Sequence, residues 1–150
     1  AGHGHIFVMR ADGSGVRRLT GGSGNDHNAV WSPDGNTIAF TRDNQLMLMA
    51  ADGTGARPLV PGDHAAWSRD GTLLAYDAGG AVHVIHADGA ADRRLVAGIT
   101  PAWSHDGARL AYVAPAPGRA DTDIYVIRLD GTGKRDVVSS RRNDTDPSWR

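Results

Sequence analysis

The chain repeats one short program. Asp-Gly pairs at Asp12-Gly13, Asp52-Gly53, Asp88-Gly89 and Asp130-Gly131 each follow a short apolar stretch. Trp31, Trp67, Trp103 and Trp149 recur in step with them. Self-similarity with a unit of about 36 residues and loop insertions marks a repeat architecture, in which each unit buries its faces against its neighbours.

The clearest unit starts at Ala29. Ala-Val-Trp-Ser forms a short strand, A, and Pro33-Asp34-Gly35 turns the chain. Proline presets φ there, aspartate bonds nearby backbone and glycine tolerates positive φ. Thr37–Thr41 reads as strand B and Gln45–Ala50 as strand C. A hairpin at Asp52-Gly53-Thr54-Gly55 then leads into strand D around Arg57–Val60. The same A–turn–B–loop–C–hairpin–D order predicts blades over 29–60, 65–96 and 101–138. Residues 5–20 supply only C and D, and residues 146–150 supply only A.

Both faces of these sheets carry apolar residues, so each must be covered on both sides, as in blades stacked around an axis. The predicted fold is all-β: a β-propeller of four-stranded antiparallel blades, about four in number with one incomplete. A missing B strand leaves ladder edges open, so further blades or self-association are expected to complete the ring.

Composition narrows the rest. All 17 acidic residues are aspartate, and 20 glycines accompany them. Both residues form turns well and helices poorly. The formal net charge of −1 is spread without a basic stripe, which argues against nucleic acid as a partner. No apolar run approaches the roughly 20 residues of a membrane span, and no signal-peptide pattern leads the chain. There is no cysteine, which excludes disulfides and cysteine-held metals.

Trp31-Ser32-Pro33-Asp34-Gly35 with Ile38-Ala39-Phe40, and Ile6-Phe7-Val8-Met9 with Asp12-Gly13-Ser14-Gly15 and Arg18-Leu19-Thr20, resemble the TolB-like β-propeller repeat. The resemblance covers nearly the whole chain. Arg69 and His105 depart from it at the turn proline, and Ala29 and Ala65 at the proline kept as Pro101 and Pro147. It implies a non-catalytic scaffold that binds a protein partner in the periplasm or another extracytoplasmic space, with no cofactor. Two alternatives share the fold: the substrate-gating propeller of a prolyl-oligopeptidase-type hydrolase, and a metal-dependent lyase-like site in the channel. Fold alone does not choose among them.

Most conspicuous polar motifs read as structure. Ser104-His105-Asp106 spells a triad in consecutive turn positions, where the three groups cannot converge. His3 and His5 give two potential ligands, too few for a metal site. Asp121 and Asp123 lack the acidic density of a calcium loop. His83 replaces Phe7, Met47 and Tyr125 on strand C and is expected to pack. Arg17, Arg57, Arg93 and Arg135 each follow a hairpin Asp by five residues, which suggests pairing across the hairpin or packing at the outer rim.

The segments leading into the A strands are the candidate binding positions. Innermost strands line a propeller's channel, and the loops before them form one rim. Those segments hold Asp26, His27 and Asn28; Asp63 and His64; Thr100; and Asp144, Thr145 and Asp146. They are assigned to ligand or partner binding, with no catalytic residue and no metal ligand. In the lyase-like alternative, His27, His64 and the channel aspartates would be the ligands.

Overall fold

A computed structural model describes residues 3–138 and 142–149. Its described residues form fourteen strands and no helix, so no helix among them could cross a membrane.

A short hairpin, β1 (Phe7–Val8) and β2 (Arg17–Arg18), comes first. Blade I is β3 (Asp26–Trp31), β4 (Thr37–Arg42), β5 (Gln45–Ala50) and β6 (Arg57–Pro61). Blade II is β7 (Asp63–Trp67), β8 (Leu73–Ala78), β9 (Ala81–His86) and β10 (Arg93–Ala97). Blade III is β11 (Ile99–Trp103), β12 (Arg109–Pro115), β13 (Thr122–Arg128) and β14 (Arg135–Val138). Each blade is an antiparallel meander in chain order. Residues 146–149 join no ladder among the described residues, and Arg150, the last residue of the expected fourth A strand, lies outside them.

The cores lie between sheets. Ile6 and Leu19 of the first hairpin region pack on Ile38, Phe40, Met47 and Met49 of blade I. The opposite face of blade I, Ala39, Leu46 and Leu48, meets Leu74, Tyr76 and Ile85 of blade II. Ala75, Val82 and Val84 of blade II then meet Leu110, Tyr112, Tyr125 and Ile127 of blade III. Strand alternation sends one set of residues forward and the next set back, so every blade is apolar on both faces.

Polar bonds repeat across these layers. Trp67 Nε1 donates to the Val30 carbonyl (3.4 Å), Trp103 Nε1 to Ala66 (2.9 Å) and Trp149 Nε1 to Ala102 (3.2 Å). Trp149 thus continues the series of inner-strand tryptophans. Among the described residues, Arg17, Arg57 and Arg93 reach beyond their own hairpins. Arg17 donates to the Asp52 carbonyl, Arg57 to Ala87 and Arg93 to Leu129, each on the next blade.

The expected A–B turns are present and self-contained. Ser32, Ser68 and Ser104 donate to Asp34, Asp70 and Asp106, each at 2.6 Å. Each serine Oγ also accepts the backbone N–H of the first B-strand residue: Thr37, Leu73 and Arg109. Ser104 and Asp106 therefore close a turn, and His105 is exposed at its tip.

Candidate functional site

The inner strands β3, β7 and β11 lie side by side. Near its start each carries one residue more than its neighbour can pair: between His27 and Val30, between Asp63 and Ala66, and between Ile99 and Ala102. Such a bulge bends a strand and re-aims a side chain. The extra residues are Asn28, His64 and Thr100, and all three have left-handed backbone, with φ of 52°, 49° and 48°. Asp146, three residues before Trp149, has φ 52°. Asparagine and aspartate tolerate this region, whereas a β-branched threonine is strained in it.

These four side chains converge. Asn28, His64, Thr100 and Asp146 border one groove of about 260 Å³, floored by Val30, Ala65, Pro101 and Pro147. A polar rim over a small apolar floor is the ordinary composition of a binding cleft. Larger hollows of about 370 and 450 Å³ lie at the opposite end of the inner strands, between blades. Their carboxylates, Asp34, Asp70 and Asp106, are already committed to the turn hydrogen bonds.

A chain of hydrogen bonds runs around the groove. Asp63 accepts from Thr41 Oγ1 (2.6 Å), Asn28 Nδ2 (2.9 Å) and the His64 backbone N–H (2.7 Å). Burial pushes the Asp63 carboxyl up, but the bonds from Thr41, Asn28 and His64 outweigh it and hold the group below the usual carboxylate range. Asp77 Oδ2 lies 2.9 Å from His64 Nδ1 and accepts the Thr100 backbone N–H at 2.8 Å. The two carboxylates thus hold the bulges of blades I, II and III in fixed relation. Thr100 Oγ1 is buried beside them with no hydrogen-bond partner among the described residues.

The remaining candidates occupy different places. His27 is half-buried, with Nδ1 3.8 Å from Asp63. Asp26 lies beneath the rim, fully engaged by Arg42 at 2.6 and 2.9 Å. Its carboxyl is held low because those bonds and one from Thr20 outweigh the opposing effect of burial. Asp144 anchors its segment to β13, its N–H donating to the Thr122 carbonyl (2.9 Å) and its carbonyl accepting from the Thr122 hydroxyl (3.1 Å). Thr145 is exposed. Asp77 was missed because it sits in an apolar B-strand pattern. The available signal was a charge where Thr41 and Val113 stand in the neighbouring blades.

No three His or Asp side chains among the described residues are arranged to hold a metal ion. His27 and His64 both approach Asp63, at 3.8 and 3.9 Å, but His64 is directed to Asp77. Asp123 is buried against Arg119, at 2.9 and 2.7 Å. His83 packs on Tyr76, with Nδ1 3.3 Å from Asp92.

Comparison with solved structures supports the fold. The TolB of Acinetobacter baumannii superposes with a TM-score of 0.84 at 20% identity, over 97% of this chain and 41% of that one. The fold is that of a TolB-like β-propeller. A TolB-assigned protein of Agrobacterium tumefaciens follows at TM-score 0.73 and 19% identity, over 88% of this chain and 55% of that one. An oligogalacturonate lyase solved with manganese gives 0.70 at 17% identity, over 89% and 42%. In sequence, 28 residues are 61% identical to the Tol-Pal system protein TolB of Geobacter metallireducens. That match spans 19% of this chain and 6% of the relative, and the chain covers about half or less of the two TolB structures. No family model matches.

Proposed function

We propose that this TolB-like propeller is a non-catalytic, extracytoplasmic scaffold whose groove at the inner-strand ends receives a protein partner. The observation that carries the reading is the convergence of Asn28, His64 and Thr100, one from each inner strand, with Asp146 of the segment that follows blade III, on a single cleft. Their side chains differ while their backbone is the same. A structural role alone would favour glycine or asparagine at every such position, whereas a contact surface favours a different polar group from each blade. Backbone strain kept at one rim is a recurrent companion of binding sites.

The groove offers a carboxylate, an amide and an imidazole over an apolar floor. That set suits an exposed loop or chain end with mixed polar and small apolar groups better than a flat surface. The TolB likeness makes the Tol–Pal system the first place to look for the partner. The soluble domain of Pal from the same source, titrated by calorimetry, should bind the chain. Replacing His64 and Asn28 together by alanine should weaken binding at least tenfold while the circular dichroism spectrum stays unchanged. Equal affinity of the variant and the parent would overturn the groove as the contact site.

A further inference from the structure

Three polar side chains that border the groove have their donors already spent or carry none. Asn28 gives its amide N–H to Asp63, with Nδ2 2.9 Å from Oδ1. A carboxylate only accepts, so the amide oxygen is the end of Asn28 left over. His64 sets Nδ1 2.9 Å from Asp77 Oδ2, an oxygen that also accepts the Thr100 N–H. Nδ1 therefore carries the proton, and the neutral ring keeps a lone pair on Nε2. Nε2 makes no hydrogen bond among the described residues, and the side chain is 41% exposed. Asp146 is exposed, and its carboxylate has no hydrogen bond or ion pair among the described residues. What the groove keeps is an amide oxygen, an imidazole nitrogen and a carboxylate, all acceptors.

The charges around it have one sign. No lysine or arginine borders the groove or the hollow of about 300 Å³ lined by Asp63 and Asp77. Asp63 and Asp77 stand opposite each other in the β7–β8 ladder, where like charges repel. On β3 and β4, Asp26 and Arg42 are committed to each other. His27, with Nδ1 3.8 Å from Asp63, and His64 are the titratable bases that face the pair. β11 brings no titratable side chain to the rim. While both imidazoles are neutral, nothing on the described chain offsets Asp63, Asp77 and Asp146.

We infer that the groove takes a primary ammonium group on an apolar stem, a lysine side chain of the partner. The inference rests on the groove being the contact site and names the group that enters it. The three ammonium N–H donors meet Asn28 Oδ1, His64 Nε2 and the Asp146 carboxylate. The methylene stem lies on the floor of Val30, Ala65, Pro101 and Pro147. That floor favours lysine over a chain N-terminus, whose ammonium has no such stem. A guanidinium fork prefers the paired oxygens of one carboxylate, whereas these acceptors come from three separate segments. Protonating His64 turns Nε2 into a donor and adds a like charge, so the ammonium is rejected as pH falls through the imidazole range.

The test titrates Nα-acetyl-lysine methylamide into the chain in chelator-containing buffer, read by the NMR signals of the His64 ring and the Asn28 amide. Saturable shifts are expected at about pH 8, with affinity at least fivefold weaker at about pH 5. The glutamine analogue, which lacks the charge, should not bind. Asp146→Asn keeps a residue suited to left-handed backbone, outside every described ladder. It should weaken lysine binding at least fivefold with the melting temperature unchanged. Absence of saturable shifts, equal shifts from the glutamine analogue, or affinity that rises toward acid would overturn the inference. Tighter binding of the arginine derivative or of glycine methylamide would overturn the choice of lysine. The soluble Pal domain reports separately. Lysine binding by a chain that ignores Pal leaves this inference standing and removes Pal as partner. Pal binding by a chain that ignores lysine does the reverse.

Discussion

The two ends of the inner strands are built from the same repeat and have opposite chemistry. At the turn end, blades I, II and III carry the same Ser–Asp pair, with the same 2.6 Å bond and the same capture of the first B-strand N–H. At the rim end the backbone repeats just as faithfully, but the residue on it changes from Asn28 to His64 to Thr100 to Asp146. Uniform side chains that satisfy one another are what folding requires. Varied side chains on a strained, uniform backbone are what a shaped contact surface requires.

Acid should weaken both ends of the inner strands, the turn carboxyls together with Asp26 and Asp63. The carboxyls of Asp34, Asp70 and Asp106 are all lowered by their serine bonds first and by backbone N–H groups next, Asp70 to about 2. A carboxyl whose folded pKa is depressed stabilises the fold above its unfolded pKa and loses that contribution as pH falls through the folded value. Urea denaturation should therefore show stability steady from pH 7 to about 4 and falling between about 4 and 2. A flat profile would remove these turns from the account.

Gly62→Ala should have the next largest effect. Gly62 has φ 154°, and a Cβ there would meet the Tyr76 ring at 2.6 Å and the Asp77 carbonyl at 2.8 Å. A loss of about 3 kcal/mol is expected in chemical denaturation. Because Asp77 also holds His64 and Thr100, groove binding should weaken in parallel. Ser104→Ala, at the turn end, should cost about 1 kcal/mol by removing the acceptor of the Arg109 N–H, while Asp106 keeps the Ala108 N–H. It should leave binding unchanged. Trp103→Phe should cost about 1 kcal/mol, the worth of its bond to the Ala66 carbonyl, again without changing binding.

The turn end was legible in the sequence because its chemistry is local: Ser, Asp and Gly within four residues specify both the bonds and the backbone. The convergence of the rim was legible through the alignment of units, since equivalent positions in radial blades must approach one axis. The bulge was not. Asn28, His64 and Asp146 are residue types found in left-handed backbone, but the β-branched Thr100 is not, so no single residue type marked the shared conformation. Asp26, grouped with the rim by its position before Trp31, turns under it because Arg42 lies opposite in the ladder. Arg17, Arg57 and Arg93 reach the next blade because the offset between stacked sheets leaves no trace in a single unit's spacing.

The central claim, that rim strain is kept for contact and not for folding, is tested most directly at Thr100. Thr100→Gly relieves a left-handed β-branched residue and should raise stability by about 1 kcal/mol. The same substitution loosens the rim, so affinity for the soluble Pal domain should fall severalfold. Melting temperature and calorimetric affinity measured on one preparation decide the matter. A higher melting temperature with weaker binding is the predicted result. A lower melting temperature, or a higher one with binding untouched, would contradict it.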